Sequence, residues 1–298
     1  MTLPRPILPG RTYFFTRRCT QREFILRPDA KINEALTYCL GRAAQETGMD
    51  ILSFLAMSNH LHGTLHDRYG VMPDFTRCLY SLGARTINSA RGRWENLWVP
   101  GDNNFVHCVE LQDTIDKTVY TLSNPVTDNL VDKAIHWPGV SSFSWLDGRT
   151  VVARRPVHFA DRTRTQLPEE VKIKLVAPPE WTGTFEAWAT RIREGVADEE
   201  RKAADKRAAS GERVLGRKAI LAASPTQRPK TIAPRRRRKP TIAAKNLFAR
   251  LAAIEALEDF RAAYRRAREA FVGGRRDVAF PPGTWWMVEG WGAELAPS

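Results

Sequence analysis

The stretch Ile51-Leu52-Ser53-Phe54-Leu55-Ala56-Met57-Ser58-Asn59-His60-Leu61-His62-Gly63-Thr64-Leu65-His66 decides the fold. Ile51 to Ala56 is a short apolar run with the length of a strand. Ser58-Asn59 supplies turn-forming side chains, and His60 to Asp67 follows as a second strand paired with the first. In a strand, residues i and i+2 share a face and the residue between them points away. His60 and His62 then converge on one side, while Leu61 anchors the strand in the core.

The neighbouring segments extend this pattern. Arg11 to Arg18 is rich in aromatic and β-branched residues and reads as a strand. Pro28-Asp29 opens a helix through Ile32, Leu36 and Leu40 that Gly48 stops. Pro73 opens a second helix, ended by Gly92, and Asn104 to Glu110 reads as a further strand. The order β-α-β-β-α-β is that of a ferredoxin-like split unit, so the expected class is α+β. It comprises an antiparallel sheet with helices on one face. A further helix covers roughly Gln112 to Ser123 and carries Tyr120, and Pro125 is expected to stop it.

The pattern changes near Asp147. Residues 1–146 read as the catalytic domain, and residues 147–298 as a basic, mainly helical C-terminal region. That region holds a Pro/Arg-rich linker at 224–240 and a long amphipathic helix at about 244–272. Residues 1–150 carry 16 Lys+Arg against 15 Asp+Glu, whereas residues 151–298 carry 30 against 18. The excess peaks between Arg228 and Pro240, where no acid occurs, and suits a polyanion such as nucleic acid.

Apolar residues make up 43% of the 298, enough for a packed core. No apolar run approaches the ~20 residues that span a bilayer. The N-terminal segment is too rich in proline for a signal peptide. Cys19, Cys39, Cys78 and Cys108 form no CxxC pair and read as reduced thiols. A cytoplasmic, nucleoid-associated protein with no membrane partner is expected.

The chemistry follows from three side-chain types. Imidazole suits several transition metals, and a site that must also grip phosphate oxygens usually uses Mg2+ or Mn2+. Asn124 can add an amide oxygen to His60 and His62. Tyr120 and Asn124 lie at i and i+4, so one helix face presents a nucleophile and a ligand together. A free tyrosine hydroxyl has a pKa of about 10 and attacks poorly at neutral pH without help.

These residues carry a family resemblance. Ala56-Met57-Ser58-Asn59-His60-Leu61-His62 resembles the metal-binding motif of the HUH single-tyrosine transposases, Met-Pro-Asn-His-hydrophobic-His. Val119-Tyr120-Thr121-Leu122-Ser123-Asn124-Pro125-Val126 resembles their Tyr-Ile-x-x-Asn-Pro-Val segment, and His136-Trp137-Pro138-Gly139-Val140-Ser141-Ser142 their Trp-Pro-x-Ser-Ser stretch. The nearest subgroup is the REP-associated tyrosine transposases. The likeness covers roughly residues 10–146, with Ser58 replacing a proline and Gly63-Thr64 a greasier pair.

The resemblance implies that His60 and His62 bind metal, that Tyr120 is the nucleophile, and that Asn124 completes or supports the site. It also implies single-stranded DNA with hairpin or palindromic repeats as substrate, cleaved through a 5'-phosphotyrosine. Monomer and homodimer stay open. Arg17, Arg18, Arg85 and Arg235, Arg236, Arg237 and Arg238 are candidate DNA contacts, and one or two of the tryptophans are candidate base-stacking platforms. His66 is placed beside the DNA rather than on the metal, and Glu110 and Asp113, near the helix of Tyr120, are weaker candidates for touching the metal or an acid–base path. Two alternatives are a domesticated, non-catalytic DNA-binding protein and an RNA-binding or structural module that pairs through the C-terminal helix.

Overall fold

Strand β1 (Arg11–Arg18) leads into α1 (Ala30–Thr47), which returns the chain to β2 (Asp50–Met57). A turn at Ser58-Asn59 gives β3 (His60–Asp67), and α2 (Met72–Arg91), β4 (Asn104–Cys108) and α3 (Leu111–Thr127) follow. The computed structural model describes residues 3–101, 103–157, 167–232 and 240–297. The local signals act as expected. The Asp29 carboxylate accepts the Ile32 N–H at the start of α1, and Gly48 and Gly92 end α1 and α2 in the left-handed region at φ 69° and 63°.

The first four strands lie in the order β2-β3-β1-β4, with each adjacent pair antiparallel. Helix α1 therefore carries the chain past the position of β3, which is the split βαβ arrangement. Side-chain alternation divides the sheet into two faces. Phe15 stacks on Phe54 at 6.3 Å and meets Phe75 of α2 edge-on at 6.2 Å. Gly63 lies between these strands because a Cβ there would come within 2.8 Å of the Phe15 ring. The opposite face holds Phe14, Thr16, His60, His62 and Thr64, as the register requires. Helix α3 covers this second face.

Pro125 lies inside α3 and does not end it, contrary to expectation; the helix runs on to Thr127. The missing proline N–H costs one hydrogen bond near the helix end. The Pro125 carbonyl still accepts from Leu130 and Val131, which closes the terminus.

The remaining elements are β5 (Val151–Arg154), β6 (Glu170–Ile173), α4 (Phe185–Ser210), α5 (Arg217–Ala222), β7 (Ile242–Ala243), α6 (Leu247–Val272) and α7 (Trp286–Trp291). They are woven into the first part of the chain. The β5–β6 pair packs on α1, where a Cβ on Gly41 would come within 2.7 Å of Val171. Helix α4 lies against α3, with Gly195 facing Val119. Strand β7 joins β4 as a fifth strand, in parallel. Two residues are too short to show strand periodicity, so no sequence signal marks β7. All four cysteines are free, and no helix among the described residues is long and apolar enough to cross a membrane.

Candidate active site

A ladder of hydroxyls seats α3 on the sheet. Ser53 Oγ and Thr64 Oγ1 lie 2.7 Å apart, and Thr64 Oγ1 and Thr118 Oγ1 lie 2.9 Å apart, all buried. From this contact α3 runs opposite to β3. Tyr120 follows Thr118 just as His62 precedes Thr64. Asn124 is six residues past Thr118, about 9 Å along the helix. His62 and His60 are about 6.6 and 13 Å from Thr64 along the strand. Asn124 lies beyond Tyr120 on the same helix, in the direction from Thr64 toward the histidines.

The rings meet as this alignment requires. His60 and His62 have centroids 5.0 Å apart. Tyr120 lies edge-on to His62 at 5.8 Å and to Phe14 at 5.8 Å. Tyr120 is 49% exposed, so its ring borders solvent while His62 is buried beneath it.

Three polar atoms determine what this face can bind. His60 Nδ1 lies 2.8 Å from Asn59 Oδ1. With the proton assigned to Nδ1 by that amide oxygen, the lone pair falls on Nε2. His62 Nε2 and Asn124 Oδ1 are buried with no hydrogen-bond partner. Unpartnered buried polar atoms are costly, and a cation relieves that cost where the atom carries a lone pair, as Asn124 Oδ1 does and His62 Nε2 does in one tautomer. Burial holds His60 down to about 4, and burial with the nearby His60 holds His62 well below the usual imidazole range. Both are neutral near pH 7, the form that ligates metal. Among the described residues, no three His, Cys, Asp or Glu side chains cluster as a metal site. The buried, unpartnered Asn124 Oδ1 is a candidate third ligand.

Burial, and then the negative charge of Asp128, raise the Tyr120 hydroxyl above its ordinary value. Lys117 lies one turn before Tyr120, and its Nζ sits 5.7 Å from the Tyr120 centroid and 5.4 Å from that of Phe14. Neither Lys117 nor Asp128 was singled out in the sequence. A lysine three residues before a helical tyrosine shares its face, and that spacing is the signal that could have found it.

The other candidates separate by position. Arg18 pairs in register with His60, on the site's face. Arg17 points to the opposite face, with its guanidinium 5.2 Å from the Tyr80 ring centroid. Arg85 is exposed on α2, also on that far side. Arg235, Arg236, Arg237 and Arg238 lie outside the described residues. His66 is buried, with Nδ1 3.1 Å from Thr12 Oγ1. Asp113 and Glu110 form the capping box of α3. Trp98, Trp137 and Trp145 are buried, whereas Trp94 is 90% exposed and alone of these four presents a free ring face.

The Trp137–Ser142 stretch has a structural role. Trp137 Nε1 donates to the Ala56 carbonyl at 3.0 Å, Ala56 N–H to the Val140 carbonyl at 2.9 Å, and Phe54 N–H to Ser142 Oγ at 2.9 Å. It covers the exposed edge of β2 and so holds the hairpin that carries both histidines.

No family model matches this sequence, and no curated protein matches it. Among solved structures, a REP-associated tyrosine transposase bound to a REP hairpin is 19% identical, over 48% of this chain and 83% of that one, with a TM-score of 0.41. A candidate transposase from Deinococcus radiodurans R1 is 22% identical, over 36% of this chain and 85% of that one, with a TM-score of 0.28.

Proposed function

We propose that the protein is a metal-dependent DNA strand transferase of the single-tyrosine transposase type, acting on single-stranded, hairpin-bearing DNA. One observation carries this reading. Tyr120 lies 5.8 Å from His62, on a face where His62 Nε2 and Asn124 Oδ1 are buried and unpartnered. The basic chain, with a net charge of +13, supports a polyanionic substrate.

His60, His62 and Asn124 would hold Mn2+ or Mg2+, a fit consistent with their mixed nitrogen and oxygen donors. When bound, the cation would neutralise and orient the scissile phosphate. The protein's own residues do the rest. Helix α3 aims the Tyr120 oxygen at phosphorus, and its proton passes to solvent. A Tyr120 O–P bond forms as the P–O bond to the neighbouring nucleotide's 3'-oxygen breaks, and that oxygen takes up a proton. The products are a 5'-phosphotyrosine and a free 3'-hydroxyl. Attack by the 3'-hydroxyl of another end reverses the exchange. One phosphoester replaces another at each step, so rejoining needs no ATP. A chromosomal substrate places the protein with the nucleoid in the cytoplasm.

The test is covalent capture. Purified protein with Mn2+ is incubated with hairpin oligonucleotides taken from palindromic repeats flanking the gene. A protein–DNA adduct is expected, and Tyr120→Phe should abolish it while leaving binding intact. An adduct of undiminished yield from the Phe variant would overturn the assignment. One alternative is a domesticated, non-catalytic DNA-binding protein. Binding that survives EDTA, with no adduct on any hairpin, would establish it.

A further inference from the structure

We propose that Lys117 is a catalytic residue that holds the scissile phosphate beside Tyr120. This rests on the strand-transferase reading above. Lys117 stands three residues before Tyr120 on the same face of α3, with its ammonium against the rings of Tyr120 and Phe14. It is half-buried, and among the described residues it has no ion-pair partner.

The nearby acids of α3 are committed elsewhere. Asp113 accepts the N–H groups of Glu110 and Lys245, Asp116 pairs with the Lys245 ammonium, and Glu110 accepts from Asn246. An ammonium with no anion beside it is available to an anionic ligand.

The position suits phosphate rather than the phenol. The Lys117 ammonium lies over the two rings, 5.7 Å from the Tyr120 centroid and 5.4 Å from that of Phe14, and makes no hydrogen bond to the Tyr120 hydroxyl. A cation–π contact at a half-exposed ring is weaker than a charge-assisted hydrogen bond to phosphate. Incoming DNA would therefore draw the flexible lysine off the rings and onto a non-bridging oxygen. As the tyrosine oxygen bonds to phosphorus, negative charge builds on those oxygens, and a fixed cation lowers that barrier.

The bland alternative is that the Lys117 stem merely covers Phe14. A binding cycle separates the two. In the Tyr120→Phe background, where cleavage is blocked, Lys117→Met is tested on a hairpin that wild-type protein cleaves. The same hairpin with a neutral methylphosphonate at the scissile linkage is the comparison. Lys117→Met should weaken binding to ordinary DNA and reduce its salt slope by about 1, with no effect on the methylphosphonate strand. With Tyr120 intact, Lys117→Met should slow adduct formation roughly 10²-fold, and Lys117→Arg should retain most of the rate. Equal effects on both strands, or a wild-type adduct rate in Lys117→Met, would overturn the role of Lys117 and leave the strand-transferase reading standing. If wild-type protein forms no Tyr120-dependent adduct, that reading fails and the role of Lys117 fails with it.

Discussion

Thr118 of α3 and Thr64 of β3 are joined through their hydroxyls at 2.9 Å, and this buried contact sets the helix that carries Tyr120 against the strand that carries His62. Both hydroxyls also belong to a ladder that ends at Ser53. Register on the strand and rotation of the helix are thus coupled at one point, two residues from the chemistry on each side.

Thr118→Val keeps the shape and removes the bond. Thr64 retains Ser53 as a partner, so the cost should be about 1 kcal/mol. Urea unfolding should show a lower midpoint with an unchanged slope. Adduct formation should slow more than that loss of stability explains, because the helix loses its alignment. An unchanged midpoint and rate would refute the ladder's role.

Gly63→Ala tests the stacking beneath the site. The added methyl meets the Phe15 ring within 2.8 Å and the β2 backbone. Overpacking of this kind costs about 1–3 kcal/mol, so the melting temperature should drop. A melting temperature equal to wild type would show that the sheet yields there.

Metal dependence is checked by removal and return. EDTA should abolish the adduct and added Mn2+ should restore it, while hairpin binding persists in part. His60→Ala should behave as the chelated protein does at any metal concentration tested. Full adduct formation in EDTA would exclude a metal role for the histidines.

His107 gives a pH signature on the other side of the sheet, where it lies 6.0 Å from Tyr13. Burial, and then Arg11, lower it to about 4. An unfolded histidine binds its proton near pH 6.5, so between that pH and about 4 the unfolded state holds more protons. Stability should be full above about pH 6.5 and fall as the pH drops toward 4. His107→Gln should flatten that part of the profile in a comparison of urea midpoints. Parallel profiles for the two proteins would contradict the shift.

Much of this was legible in the chain itself. The alternation through His60-Leu61-His62, the caps at Asp29, Gly48 and Gly92, and the four-residue interval from Tyr120 to Asn124 are local signals. Local signals act within one element, where periodicity and backbone preference suffice. They determined the order of strands and helices and which residues share each face. They did not show which face of the sheet α3 covers, that β7 completes the sheet, or that Lys117 rests on Phe14 and Tyr120. Those depend on contacts between residues far apart in the chain, such as Thr64 with Thr118 and Ala56 with Trp137. Only packing decides such contacts, because burying each hydroxyl and indole N–H requires a partner that the neighbouring sequence does not supply.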